Sequence, residues 1–181
     1  DLPGGRFAGR VRSETVVIAT LGADEAARLA GIPSVLAHLP GSSFADLYQV
    51  PPTAYPDGSV GLKLGATLRE WEPLATGEAR RAWMAGTGHE RWLPELRGLV
   101  EDLVPDVRAE AWTTKPCVIT DTASGLPTVD HAADGLVVAA GGNGYAAKSG
   151  LAIGALAATL LREGRWTDAV LDADRFRVVT R

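Results

Sequence analysis

The run TVVIAT at 15–20 is β-branched or apolar at every position. A strand of that kind has no polar side to turn toward water, so it must be covered on both faces. The segments that follow supply partners for it. ADEAARLAG at 23–31 puts Asp24 and Glu25 in a first turn and Gly31 just past the end, the pattern of a short helix. Strands are expected at 34–39, 46–50 and 59–65, joined by PGSS at 40–43 and PDG at 56–58. Successive strands with connections this short make an antiparallel sheet.

A helical stretch is expected over 77–104, where Trp92, Leu93, Leu96, Leu99, Val100 and Leu103 recur at three-and-four spacing until Pro105 stops them. Strands return at 115–121, 126–130 and 135–140. The last, GLVVAA, runs directly into GGNG and a final helix over 147–162, with a loose tail after Trp166. The expected class is therefore α+β: a mainly antiparallel sheet packed with helices, followed by a strand-turn-helix.

Composition narrows the function classes. With 22% charged and 46% hydrophobic residues in 181, the chain has the make-up of a globular domain with a real core. A net charge of −4 without any lysine or arginine cluster argues against nucleic acid or an anionic membrane as partner. The longest apolar run, 151–161, is alanine-rich and too short to span a bilayer. One cysteine and three histidines make a disulfide framework impossible and a zinc site a poor fit, and a reducing, cytoplasmic setting suits the thiol. GxSxG, HExxH and GxxxxGK[ST] are all missing, so hydrolase, metalloprotease and phosphate-loop chemistries lack a starting residue.

Two lysines stand out because glycines leave backbone close on either side of them: Lys63 in GLKLGA at 61–66, and Lys148 in GGNGYAAKSG at 141–150. Between them lies Cys117, in KPCVIT, with Lys115 on the same strand face as a cation able to favour a thiolate. On residue type alone each has an ordinary role: Lys63 as the polar residue of a half-exposed strand, Lys148 as a solvated first-turn lysine, Cys117 as a small buried hydrophobe. Strand, glycine turn and helix together aim backbone N–H groups at an anion. Gly142, Gly144 and Ala147 fit GxGxxA, but the helix runs on into EGRWTD without the second strand and acidic residue that a dinucleotide site requires.

Four stretches in order, DLYQVPP at 46–52, YPDGSVGLKLGA at 55–66, KPCVITDTASGLPTVD at 115–130 and LVVAAGGNGYAAKSGLAIG at 136–154, resemble the D-amino acid oxidase superfamily. The likeness is to its monomeric sarcosine oxidase and N-methyltryptophan oxidase branch, and it runs from about Arg12 to about Trp166. The resemblance implies a substrate-binding domain over 1–125, the last segment of the FAD-binding domain over 126–166 and a C-terminal tail over 167–181, hence the C-terminal part of a longer protein. It implies FAD as cofactor, an amine or amino acid and oxygen as small-molecule partners, and imine and hydrogen peroxide as products.

The same resemblance assigns roles. Lys63 serves the reaction of reduced flavin with oxygen; Lys148 holds the substrate carboxylate; Tyr48 lines the substrate pocket; Cys117 stands where this branch attaches flavin through a thioether. Gly141, Gly142, Asn143, Gly144, Tyr145 and Lys148 form the turn and helix start facing the pyrimidine edge of the flavin. Ile119 departs from the aromatic residue usual two positions after the cysteine. Two alternatives stay open: a non-redox binding or assembly module docking to a separate flavin-carrying chain, and a dehydrogenase of the same fold. The retained Lys63 favours an oxidase over the dehydrogenase. An apolar surface normally covered by the flavin-binding half would also let this chain self-associate.

Overall fold

The computed structural model describes residues 7–179. The first residues of the expected substrate-binding domain, 1–6, and the last two of the expected tail, 180–181, lie outside the described residues. The chain divides into two compact units, one of Ser13–Val118 and one containing residues 7–12 and 119–179.

The first unit is built on a five-stranded sheet. Strands β1 (Arg10–Leu21), β2 (Val35–His38), β3 (Phe44–Ala54), β4 (Val60–Leu68) and β5 (Ala109–Asp121) lie in the order β2-β3-β4-β1-β5. The β2/β3, β3/β4 and β1/β4 pairings are antiparallel, as short connections require. β1 is buried from Arg12 to Ala19: Thr15–Ala19 belong to the run without a polar side, while Arg12, Ser13 and Glu14 are buried with hydrogen-bond partners in Asp121, the Glu72 N–H and the Leu68 N–H.

Register decides what each face carries. Val17 pairs with Leu64 and Ala19 with Leu62, and Leu47 of β3 pairs with Ala66. These side chains point to one face, where helices α1 (Ala23–Leu29) and α3 (Leu93–Leu103) cover them. Leu29, Leu96 and Val100 complete that core, and Trp92 meets Phe44 edge-on at 5.4 Å. The alternate residues of β4, among them Lys63, point the other way.

The helix expected over 77–104 is two. α2 (Gly77–Met84) starts at Thr76, whose hydroxyl accepts from the Ala79 N–H, and a short 3-10 turn at Glu90–Trp92 leads into α3. The break falls at Gly86-Thr87-Gly88, where Gly88 takes φ +81°, and the His89 N–H donates to Thr15 Oγ1 of β1 instead of to a helical carbonyl. Amphipathic spacing from Trp92 onward is real, but it does not reach back across the glycines.

In α1 the carboxylate of Glu25, 5% exposed, is held by Arg28 one turn on and by both the side chain and the backbone N–H of Arg108 before β5. Hydrogen bonding by Arg28 first, then by the Arg108 backbone, lowers its pKa from 4.5 to about 2.

In the second unit β6 (Thr128–Ala133) and β7 (Leu136–Ala140) form an antiparallel hairpin, and α4 (Gly150–Glu163) packs on it. Val129, Leu160 and Phe176 are its buried centre. The stretch after Trp166 is not loose. Trp166 stacks on Phe176 at 5.4 Å and donates from its indole to the Leu171 carbonyl, while Asp130 accepts from the Val178 N–H at 2.9 Å. The apolar residues Trp166 and Phe176 bring the segment back onto the hairpin and α4.

Two outcomes are expected. Leu96→Ala, at a position 1% exposed, should lower the unfolding free energy by about 2–5 kcal/mol in urea titrations, through lost burial and a residual cavity. Because Glu25 is depressed in the folded state, its contribution is full above pH 4.5 and is lost as pH falls toward about 2. Glu25→Gln should therefore flatten the acid limb of a stability-versus-pH curve in that window.

Candidate functional site

On the sheet face opposite α1 and α3, strand β4 presents Gly61, Lys63 and Gly65 in sequence. Ile18 of β1 lies beside Lys63, and Tyr48 of β3 beside Gly65. The glycines are needed for close approach. A Cβ at Gly65 would stand 2.3 Å from the Tyr48 ring, and one at Gly61 would stand 3.0 Å from the Tyr55 ring. Two tyrosine rings thus lie down on β4, at the glycines on either side of Lys63.

Each ring carries a cation. Lys63 Nζ is 5.4 Å from the Tyr48 ring centre, and Lys115 Nζ of β5 is 5.7 Å from that of Tyr55. The Tyr48 hydroxyl is pushed above its ordinary pKa chiefly by burial, then by the neighbouring Cys117 thiol and Tyr55. Tyr55 is pushed the same way by burial. Cys117, half-buried, lies two residues beyond Lys115 on β5, so alternation turns its thiol to the face on which the Lys115 ammonium meets Tyr55. Of the residues singled out in the sequence, Lys63, Tyr48 and Cys117 come together on one face. Tyr55 was passed over, and its signal was the glycine at 61, which leaves room for a ring. The Lys115 ammonium lies over Tyr55.

The strand that carries Cys117 is clasped from outside. Trp83 of α2 donates from Nε1 to the Cys117 carbonyl at 2.9 Å, and its ring rests against His89 at 4.6 Å. His89 is tied to β1 through its N–H to Thr15 and its Nε2 to Ser13 Oγ at 3.5 Å. Burial lowers the His89 pKa, so the imidazole is neutral at pH 7. Trp83 thus has a hydrogen bond to the backbone of the cysteine. Only the fold places a helix residue 34 positions away beside that carbonyl.

The glycine turn belongs to the second unit. Gly141, Asn143 and Gly144 all take positive φ, at 76°, 51° and 79°. The Asn143 side chain accepts from the Thr122 N–H at 2.8 Å and donates to the Gly141 carbonyl at 2.7 Å, while its own N–H donates to Thr120. Its amide is spent on holding the turn to the end of β5. Ile119 fills the space against Gly144, with Cδ1 3.2 Å from where a Cβ would be. Lys148 does not sit in the helix proper: α4 begins at Gly150, and Lys148 lies in a 3-10 turn at Ala146–Ser149 with Nζ 5.2 Å over the exposed Tyr145 ring. The two groups of candidate residues belong to different units.

Among the described residues no group of histidine, cysteine and carboxylate side chains is placed to hold a metal, and no helix is long and apolar enough to cross a membrane. Comparison with protein-family models and with curated proteins returns no match.

Trp83→Phe keeps the ring against His89 but removes the donor to Cys117. It should cost about 1 kcal/mol and speed alkylation of Cys117 by iodoacetamide as the strand loosens. An unchanged alkylation rate would show that the clasp does not hold Cys117. Gly65→Ala should displace the Tyr48 ring, which is read as loss of the Tyr48-dependent ring-current shifts of β4 amides in NMR spectra.

Proposed function

We propose that this chain is the C-terminal portion of an FAD-dependent amine or amino-acid oxidase, contributing its substrate-binding domain and a last flavin-contacting segment. The observation that carries the reading is the shared face of Lys63, Tyr48 and Cys117. These are three of the residues to which the resemblance assigns roles, and they come from three different strands.

The residues present fit a flavin in their chemistry. A fixed cation, a thiol and an aromatic wall on one face suit a planar group that gains negative charge when reduced. When bound, FAD supplies the acceptor for the hydride leaving the carbon next to the amine, and then delivers the electrons to oxygen. The chain's own residues do the rest.

Lys63 has its ammonium over a tyrosine ring rather than in an ion pair among the described residues, so its charge is free to stabilise negative charge developing on oxygen. Tyr48, held protonated by burial, presents an O–H and a ring edge to the substrate. Cys117, on a strand held from outside by Trp83, is the residue for a thioether to the flavin. By the resemblance, Lys148 holds the substrate carboxylate, and Gly141, Gly142, Gly144 and Tyr145 line the flavin's pyrimidine edge. Asn143 serves that edge by fixing the shape of the turn.

The test uses the longer protein with its flavin. Lys63→Met should slow reoxidation of the reduced flavin by oxygen about 10²–10³-fold, while reduction by the amine changes much less, in stopped-flow absorbance. Acid precipitation should leave the yellow colour in the pellet, and Cys117→Ser should move it to the supernatant. A protein that carries no flavin and oxidises no amine would overturn the reading.

A further inference from the structure

Lys115 is the cation on this sheet face that the proposed reaction leaves without a task. Its ammonium lies 5.7 Å from the centre of the Tyr55 ring and forms no ion pair among the described residues. Its charge is felt by Asp57, whose pKa is lowered first by hydrogen bonds from Ser59 and then, in smaller part, by Lys115. That carboxylate is taken up by its own turn, accepting from the Ser59 N–H at 3.0 Å and the Ser59 hydroxyl at 2.6 Å. Tyr55 is set down on Gly61 and Ile18, so its ring has a fixed seat, and burial keeps its hydroxyl a donor well past neutral pH.

This second tyrosine-lysine pair repeats the first. Tyr48 on Gly65 carries Lys63, and Tyr55 on Gly61 carries Lys115. Gly61 and Gly65, the glycines under the two rings, share one face of β4, so the rings line one surface. A single carboxylate needs one such cation. In the free chain both ammonium groups are open to the two ends of a dicarboxylate; in the enzyme, where Lys63 is given to the oxygen reaction, Lys115 with the Tyr55 hydroxyl is left for a carboxylate at the substrate's far end.

We propose that Tyr55 and Lys115 form an anion subsite that receives a second, distal carboxylate on the substrate, so that the preferred amines are those with an acidic side chain. This rests on the oxidase reading for the identity of the ligand, but the subsite itself can be tested apart from it. Lys115 attracts the distal carboxylate by charge, and the Tyr55 hydroxyl donates to it; apolar side chains of the same length gain neither interaction.

Two measurements decide it. The first titrates this chain with glutarate and with butyrate, followed by amide shifts at Tyr55, Gly61 and Lys115. Glutarate should bind at least about tenfold more tightly than butyrate, and Lys115→Met should remove that advantage while Tyr55→Phe reduces it. Equal binding of the two acids, or an advantage that survives Lys115→Met, overturns the subsite. The second compares kcat/KM of the flavin-loaded longer protein for N-methylglutamate and N-methylnorvaline. Lys115→Met should lower the ratio about tenfold, and an unchanged ratio overturns the substrate assignment. If no amine is oxidised at all while glutarate still depends on Lys115, the oxidase reading falls and the anion subsite stands.

Discussion

The pairing of β1 with β4 is the constraint on which the rest of the first unit depends. With Val17 opposite Leu64 and Ile18 opposite Lys63, leucines go under α1 and α3 and the lysine goes to the other face. A slip of one residue would turn Lys63 into the core and Leu62 and Leu64 out of it, at a cost that rules out the alternative. β1 can hold this register because both faces of its Val16–Ala19 stretch are apolar and buried between its neighbours. The candidate site is thus a by-product of the same alternation that builds the core.

Glycine on β4 then turns a polar strand face into a surface with shape. Leu62 and Leu64 supply packing on one side, while Gly61 and Gly65 leave shallow seats on the other. Tyrosine rings fill those seats and in turn support two ammonium groups. Each ammonium rests on a π face, and neither is paired with a carboxylate among the described residues. In the other unit, Asn143 does comparable work by holding a run of left-handed residues in one conformation.

Much of this was legible locally. The TVVIAT strand, the α1 helix with its acidic first turn, the strands flanking PGSS and PDG, and the stop of α3 before Pro105 each follow from a few neighbouring residues. Where the reading departed from the structure, the missing information was non-local. The helix over 77–104 broke because His89 found a partner in Thr15 and Gly88 let the chain turn. The stretch after Trp166 was read as loose because its apolar residues are few and spaced apart; their stacking partner and the Asp130 acceptor are distant in sequence.

Sequence alone determined the α+β class and most strand positions and marked Lys63, because periodicity and glycine placement act over a few residues and leave a local pattern; Cys117 stood out as the single cysteine, and Tyr48 only through the family resemblance. Only the tertiary structure decided that these three share a face, that Tyr55 and Lys115 join them, and that Trp83 holds the strand of Cys117. Those facts depend on strand order and register, which arise when the whole core is buried at once.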